Sequence, residues 1–159
     1  MLRNLLLPLL FLTTASVAAA QAGGCPKPVL KVLRNGVEIP ATGSAMAPGI
    51  RLQITSDPEC REKVSYRVTA AEITLVRGGR PLLPTLLVKQ PQADLRGFMP
   101  HSRSGDYVYV FIPYKNLRVV SADGTLQPYL PPASAKSESR QRDVTPDAAQ
   151  GIVFKWILL

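Results

Sequence analysis

Residues 64–83, V-S-Y-R-V-T-A-A-E-I-T-L-V-R-G-G-R-P-L-L, leave this chain little choice of fold. Val64, Tyr66 and Val68 alternate with Ser65, Arg67 and Thr69, the period-two pattern of a strand with one buried and one wet face. Beyond Ala70-Ala71 the phase slips: Ile73 and Leu75 become the apolar positions, Glu72 and Thr74 the polar ones. A strand cannot change face without an extra residue, so a β-bulge or bend is expected within 69–72. Arg77-Gly78-Gly79-Arg80 follows as a hairpin tip, because adjacent glycines accept the positive φ angles of a tight turn.

The rest of the chain repeats this grammar. Asn35-Gly36 interrupts the apolar run 29–39 and predicts a type I′ hairpin turn. Residues 50–55 alternate Ile50, Leu52 and Ile54 with Arg51, Gln53 and Thr55, and Ser56-Asp57-Pro58 closes that strand. Pro84 confines any return strand over 82–88 to an edge or a bulge. Residues 90–105 are rich in turn formers. The run 107–112, Y-V-Y-V-F-I, is apolar on both faces and predicts a central strand. A strand over 114–120, a turn at Ala122-Asp123-Gly124-Thr125 and a short return over 125–130 come next. The polar stretch 133–150 reads as a mobile loop with too few apolar groups to offset its ordering entropy. Residues 151–159 put Ile152, Phe154, Trp156 and Leu158 on one face. No stretch has a helical apolar period. The expected fold is an all-β, antiparallel, Ig-like β-sandwich of about seven or eight strands.

Y-R-V-T-x-x-E-I-T-L-V-R-G-G-R-P, together with G-D-Y-V-Y-V-F-I-P-Y-K-N-L-R-V-V-S-A-D-G-T downstream, resembles the C-terminal β-sandwich domain of the gliding-motility protein GldM (PorM) family, over roughly residues 60–159. The chain departs from that pattern at 133–150, where the family passes more directly from the Asp-Gly turn to the last strand. The resemblance implies a periplasmic or cell-surface module of the type IX secretion or gliding machinery. The family's inner-membrane helix and additional periplasmic domains have no counterpart in this sequence, so a free-standing accessory or decoy is expected rather than the motor shaft. What partner that fold binds is carried over by analogy only.

The first residues read as an address. Arg3, an apolar core over 5–12 and the small residues Ala18 to Ala20 and Ala22 make a secretory signal peptide over 1–22, leaving 23–159 as one domain. An uncleaved anchor is the competing reading; no other segment is long and apolar enough to span a bilayer as a helix. Export to the periplasm, cell surface or exterior makes a disulfide between Cys25 and Cys60 the expected state of the two cysteines. Such a bridge stabilises by about 3–4 kcal/mol in the chain-entropy model. Lipidation of Cys25 is the alternative, although Ala22 is not the large aliphatic residue such a site uses.

Nothing here has the spacing of catalytic machinery. His101 is the lone histidine, Ser102 and Ser104 lack a nucleophile elbow, and Asp94, Asp106, Glu72 and Asp123 lie on separate predicted strands and turns. One histidine with two bridged cysteines cannot supply a zinc site. The chain is therefore expected to be a non-catalytic binding or scaffold module without metal or cofactor. The alternatives are a secreted enzyme or inhibitor with a cryptic site, or a polyanion-binding envelope protein. The formal charge of +8 reads first as positive side chains spread over a solvated surface for solubility, and second as a patch for an anionic partner. Export argues for an acidic protein surface, such as an envelope or outer-membrane secretion component, over nucleic acid. Arg77 and Arg80, flanking the Gly-Gly tip, are the candidate contact residues, because guanidinium groups pair bidentately with carboxylates.

Overall fold

The computed structural model describes residues 28–60, 63–131 and 150–159. Asn35 and Gly36 adopt φ 51° and 83°, the left-handed pair a type I′ turn requires, and join β1 (Val29–Arg34) to β2 (Val37–Glu38). β3 (Gly49–Thr55) buries Ile50 and Leu52 and exposes Arg51 and Gln53, as its alternation dictates. The organising stretch is then cut in two, into β4 (Ser65–Val68) and β5 (Ala71–Arg77). The break falls at Thr69-Ala70, where Thr69 turns its amide and hydroxyl to the Asn116 carbonyl at 2.9 and 3.0 Å. The expected kink is where the chain changes sheets.

Gly78 and Gly79, at φ 54° and 78°, turn β5 into β6 (Arg80–Pro81), with Arg77 opposite Arg80. The return expected over 82–88 is interrupted: β6 ends at Pro81, the Leu82 amide makes one more bond to the Leu75 carbonyl at 2.9 Å, and the ladder on β5 resumes at β7 (Leu86–Val88). Residues 90–105 are more ordered than turn composition suggests. They hold β8 (Gln92–Asp94), whose Ala93 is buried against β3, and a 3-10 turn at Met99–His101. β9 (Tyr107–Pro113) lies between β5 and the C-terminal strand, the central position its composition predicts. Val108, Val110 and Ile112 are fully buried, while Tyr107, Tyr109 and Phe111 on the other face are half-buried. After a 3-10 turn at Tyr114–Asn116 come β10 (Leu117–Val120), β11 (Leu126–Pro128) and finally β12 (Gly151–Ile157).

Three antiparallel sheets result, ordered β2-β1-β3-β8, β11-β10-β4 and β12-β9-β5-β6, with β7 also on β5. Leu30, Val32, Ile50 and Leu52 from the first share one core with Ile73, Leu75, Val110 and Trp156 from the last. The chain is all-β and sandwich-like. The twelve strands among the described residues exceed the expected seven or eight because β2, β6, β7, β8 and β11 are segments of two or three residues, too short to print an alternation. Tyr129 packs against Tyr66 and Tyr114 with ring centroids 6.1 and 5.2 Å away, fastening the small sheet to the core. Burial, with Tyr114 and Tyr66 adding to it, pushes the Tyr129 hydroxyl up to about 12.

Ile152, Trp156 and Leu158 are buried, as the C-terminal alternation requires, although the Trp156 Nε1 donor finds no acceptor among the described residues. No helix among the described residues is long and apolar enough to cross a membrane. The expected leader over 1–22 and Cys25 lie outside the described residues, as does the expected loop 133–150 apart from Gln150. Cys60, the expected partner of Cys25, is 5% exposed.

Gly151 starts β12 opposite Pro113, and a Cβ there would overlap the Ile112 carbonyl oxygen and the Phe111 ring. Backbone cannot give way as a side chain can. Gly151→Ala should therefore destabilise by about 2–3 kcal/mol in urea unfolding, the cost of overpacking a filled core. An unchanged midpoint would show that β12 can slide on β9.

Candidate functional site

Two concentrations of positive charge qualify as sites, and their chemistry differs. The first is the predicted tip. In the β5–β9 register Val76 faces Tyr107, so the next step along both strands brings Arg77 beside Asp106. The Arg77 Nε donates to Asp106 Oδ1 and its Nη2 to Oδ2, both at 2.7 Å, and Nη2 also reaches the His101 carbonyl at 3.0 Å. The Arg103 amide donates to Oδ2 at 2.8 Å. Asp106 is 2% exposed, so its charge persists only because these donors replace water. The Arg77 hydrogen bonds hold its carboxyl below the usual aspartate range against the opposing effect of burial, with the Arg103 amide assisting.

Arg77, expected as a contact residue of the tip, is engaged within the fold. Its guanidinium is committed to an internal carboxylate and a backbone carbonyl. Arg80, directly opposite, is exposed, and its side chain makes no hydrogen bond or ion pair among the described residues. His101 is exposed and contributes only its carbonyl oxygen here. The other carboxylates considered do not gather around it. Asp94 is held down to about 2 by Arg96, its neighbour two residues on, and Asp123 is lowered by the Thr125 amide and hydroxyl. Among the described residues no three His, Cys, Asp or Glu side chains come together to hold a metal.

The second concentration is a groove of ≈ 610 Å³ between β3 and β4, with Lys89, Gln90 and Pro91 along its side. At one end it is clasped shut: the Ser56 hydroxyl donates to the Val64 carbonyl at 2.9 Å and accepts from the Val64 amide at 2.7 Å. Ile54, Tyr66 and Val68 supply half-buried apolar surface, and Arg51, Arg67 and Lys89 stand exposed around it. No carboxylate lines the groove, and none of these three cations has a hydrogen bond or ion pair among the described residues. Arg67 also lies directly across from Arg118 on β10. Like charges directly opposite on a sheet repel. Arg118 turns its guanidinium back to the Lys115 and Leu117 carbonyls at 2.8 and 3.3 Å, while Arg67 stays unmatched.

Sequence reasoning placed Arg51 and Arg67 correctly on the wet faces of their strands, but not together. Nothing local signals that two strands from different sheets will face each other edge to edge. Comparison of the chain with models of known families, with curated proteins and with solved structures returns no match.

The clamp sets a pH dependence whose sign follows from the lowered carboxyl. Asp106 binds its proton less readily folded than unfolded, so its stabilisation is complete above about pH 5 and fades as pH falls through its depressed folded value. Thermal unfolding between pH 6 and pH 2 should show a melting temperature that drops on acidification, with a shallower drop for Asp106→Asn, which starts lower. Arg77→Glu, which sets a second carboxylate beside Asp106, should lower the melting temperature at pH 7. Arg80→Glu should leave it nearly unchanged, because an exposed unpaired charge contributes little. Equal melting of the two arginine variants would deny Arg77 its structural role.

Proposed function

We propose that this chain is an exported, non-catalytic binding module of the bacterial envelope that docks an acidic protein partner. The observation that carries this reading is the groove between β3 and β4, where Arg51, Arg67 and Lys89 surround apolar surface with no carboxylate among the described residues to balance them. Exposed lysine and arginine on a sandwich ordinarily alternate with acidic residues or pair with them, as Lys31 does with Glu38 at 2.8 Å and Arg96 with Asp94 at 2.6 Å. An unbalanced set beside an apolar floor has the composition of a contact surface for an anionic partner. The leader over 1–22 supports export, and two cysteines in an oxidising compartment support a Cys25–Cys60 bridge. The strand and turn patterns shared with the GldM family's C-terminal domain support a place beside type IX secretion or gliding machinery, as an accessory to it. A lipidated Cys25 remains the competing state of the N-terminus.

Expression of the full chain in a Gram-negative host, followed by fractionation and intact mass measurement, tests export and bridging together. The expected product is found outside the cytoplasm, lacks residues 1–22 and is two hydrogen atoms lighter than its reduced form. A chain retained in the cytoplasm with its leader attached would sink the export reading. A free thiol or an acyl group on Cys25 would remove the bridge.

A further inference from the structure

The groove has a geometric property that charge alone does not explain: among the described residues each long wall offers unpaired backbone, β4 along its outer edge and β3 beyond Leu52. Among the described residues β4 is the edge strand of its sheet, with β10 on one side only. Thr69 donates its amide to Asn116, so by the alternation of an antiparallel ladder Arg67 and Ser65 also turn their backbone groups to β10. Tyr66 and Val68 therefore point their amides and carbonyls into the groove. Across from them, β8 follows β3 only from Gly49 to Arg51, and the Leu52 amide makes one further bond to the Pro91 carbonyl at 2.7 Å. Pro91 has no N–H to return, so the ladder stops, and among the described residues this side of β3 is bare from the Leu52 carbonyl onward. Edge strands are usually guarded against pairing by charge, proline or a covering loop.

We propose that the β4 edge receives an extended acidic segment of a partner protein as an added strand, which names the partner chemistry of the groove and rests on the binding-module reading above. The incoming backbone bonds to the amides and carbonyls of Tyr66 and Val68. Its residues opposite Tyr66 and Val68 lie on the face those side chains occupy and are apolar. Its residue opposite Arg67 stands on the exposed face, with Cβ atoms about 4.5–5.5 Å apart, and is Asp or Glu. That carboxylate extends the Arg118–Arg67 row by one strand and neutralises a repulsion that no described residue relieves. Arg51 and Lys89, from the opposite wall, meet further acidic positions. The recognised pattern is thus apolar–acidic–apolar in β conformation, with affinity from the main chain and selectivity from Arg67.

Fluorescence anisotropy with the purified 23–159 chain tests this without relying on export. The probe is a labelled seven-residue peptide of alternating valine and glutamate. Binding is expected, weakening at least tenfold for Arg67→Glu and for the peptide with glutamine in place of glutamate. N-methylation of alternate peptide amides should abolish binding for one set and spare the other, because only one set faces β4. Arg67→Glu should keep or raise the melting temperature, since it converts a repulsive cross-strand pair into an attractive one, so its lost binding cannot be ascribed to unfolding. Equal binding of both N-methylated sets would overturn strand addition. Tighter binding of heparin or an oligonucleotide than of the peptide would reassign the groove to polyanions. Loss of peptide binding in Arg80→Glu with Arg67→Glu unaffected would move the contact to the hairpin tip. A salt-sensitive partner captured from the source envelope equally well by wild type and Arg67→Glu would leave the binding module standing and remove this site.

Discussion

A carboxylate that is 2% exposed has to be matched by donors, and in this fold the match joins parts that are remote in the chain. Asp106 takes two bonds from Arg77 at the end of β5 and one from the Arg103 amide in the loop before β9. Its own carbonyl accepts the Leu158 amide at 2.8 Å, beside the bond from the Gly105 amide to the Leu158 carbonyl at 2.9 Å. Through Arg77 the same cluster holds the His101 carbonyl and hence the 3-10 turn. Slipping β5 against β9 by one residue would strand the Asp106 charge and turn Ile73 and Leu75 out of the core. Register, loop position and the C-terminal strand are thus tied to one ion pair.

The two arginine pairs of the molecule show how context divides structure from function. Arg77 faces Arg80 and Arg67 faces Arg118, each pair directly opposed across an antiparallel ladder. At the first, Asp106 absorbs one charge, and the Gly-Gly tip becomes a fastened turn. At the second, Arg118 turns to backbone carbonyls and Arg67 is left facing solvent beside a bare strand edge. Repulsion tolerated at an edge is a cost in the isolated chain, and one that a carboxylate-bearing strand removes.

The edges arise from how the chain divides itself among sheets. The phase slip at Thr69-Ala70 sends β4 to the small sheet and β5 to the large one, so β4 cannot be covered by the strand that follows it. Pro91 ends the β8 ladder on the opposite wall. The Ser56–Val64 clasp holds the two walls together at one end and leaves them apart elsewhere. The groove follows from one kink, one proline and one hydroxyl, with apolar floor and basic rim supplied by ordinary strand alternation.

Local pattern by itself determined the secondary structure where it is periodic or where glycine is required. The turns at Asn35-Gly36, Gly78-Gly79 and Asp123-Gly124, the buried faces of β3 and β12, and the central place of β9 all follow from side-chain period two and from the φ angles only certain residues accept. The phase slip even located the change of sheet. Strands of two or three residues were not legible, because an alternation needs more positions to register. Nor was the role of Arg77, since a guanidinium on a turn looks the same whether its carboxylate is 29 residues away or absent. Strand adjacency decided that, by setting Val76 against Tyr107 and so Arg77 against Asp106. It also brought Arg51, Arg67 and Lys89 around one groove. Sequence sets the face each side chain takes; only the pairing of distant strands, a long-range event driven by core burial, decides which faces and edges meet.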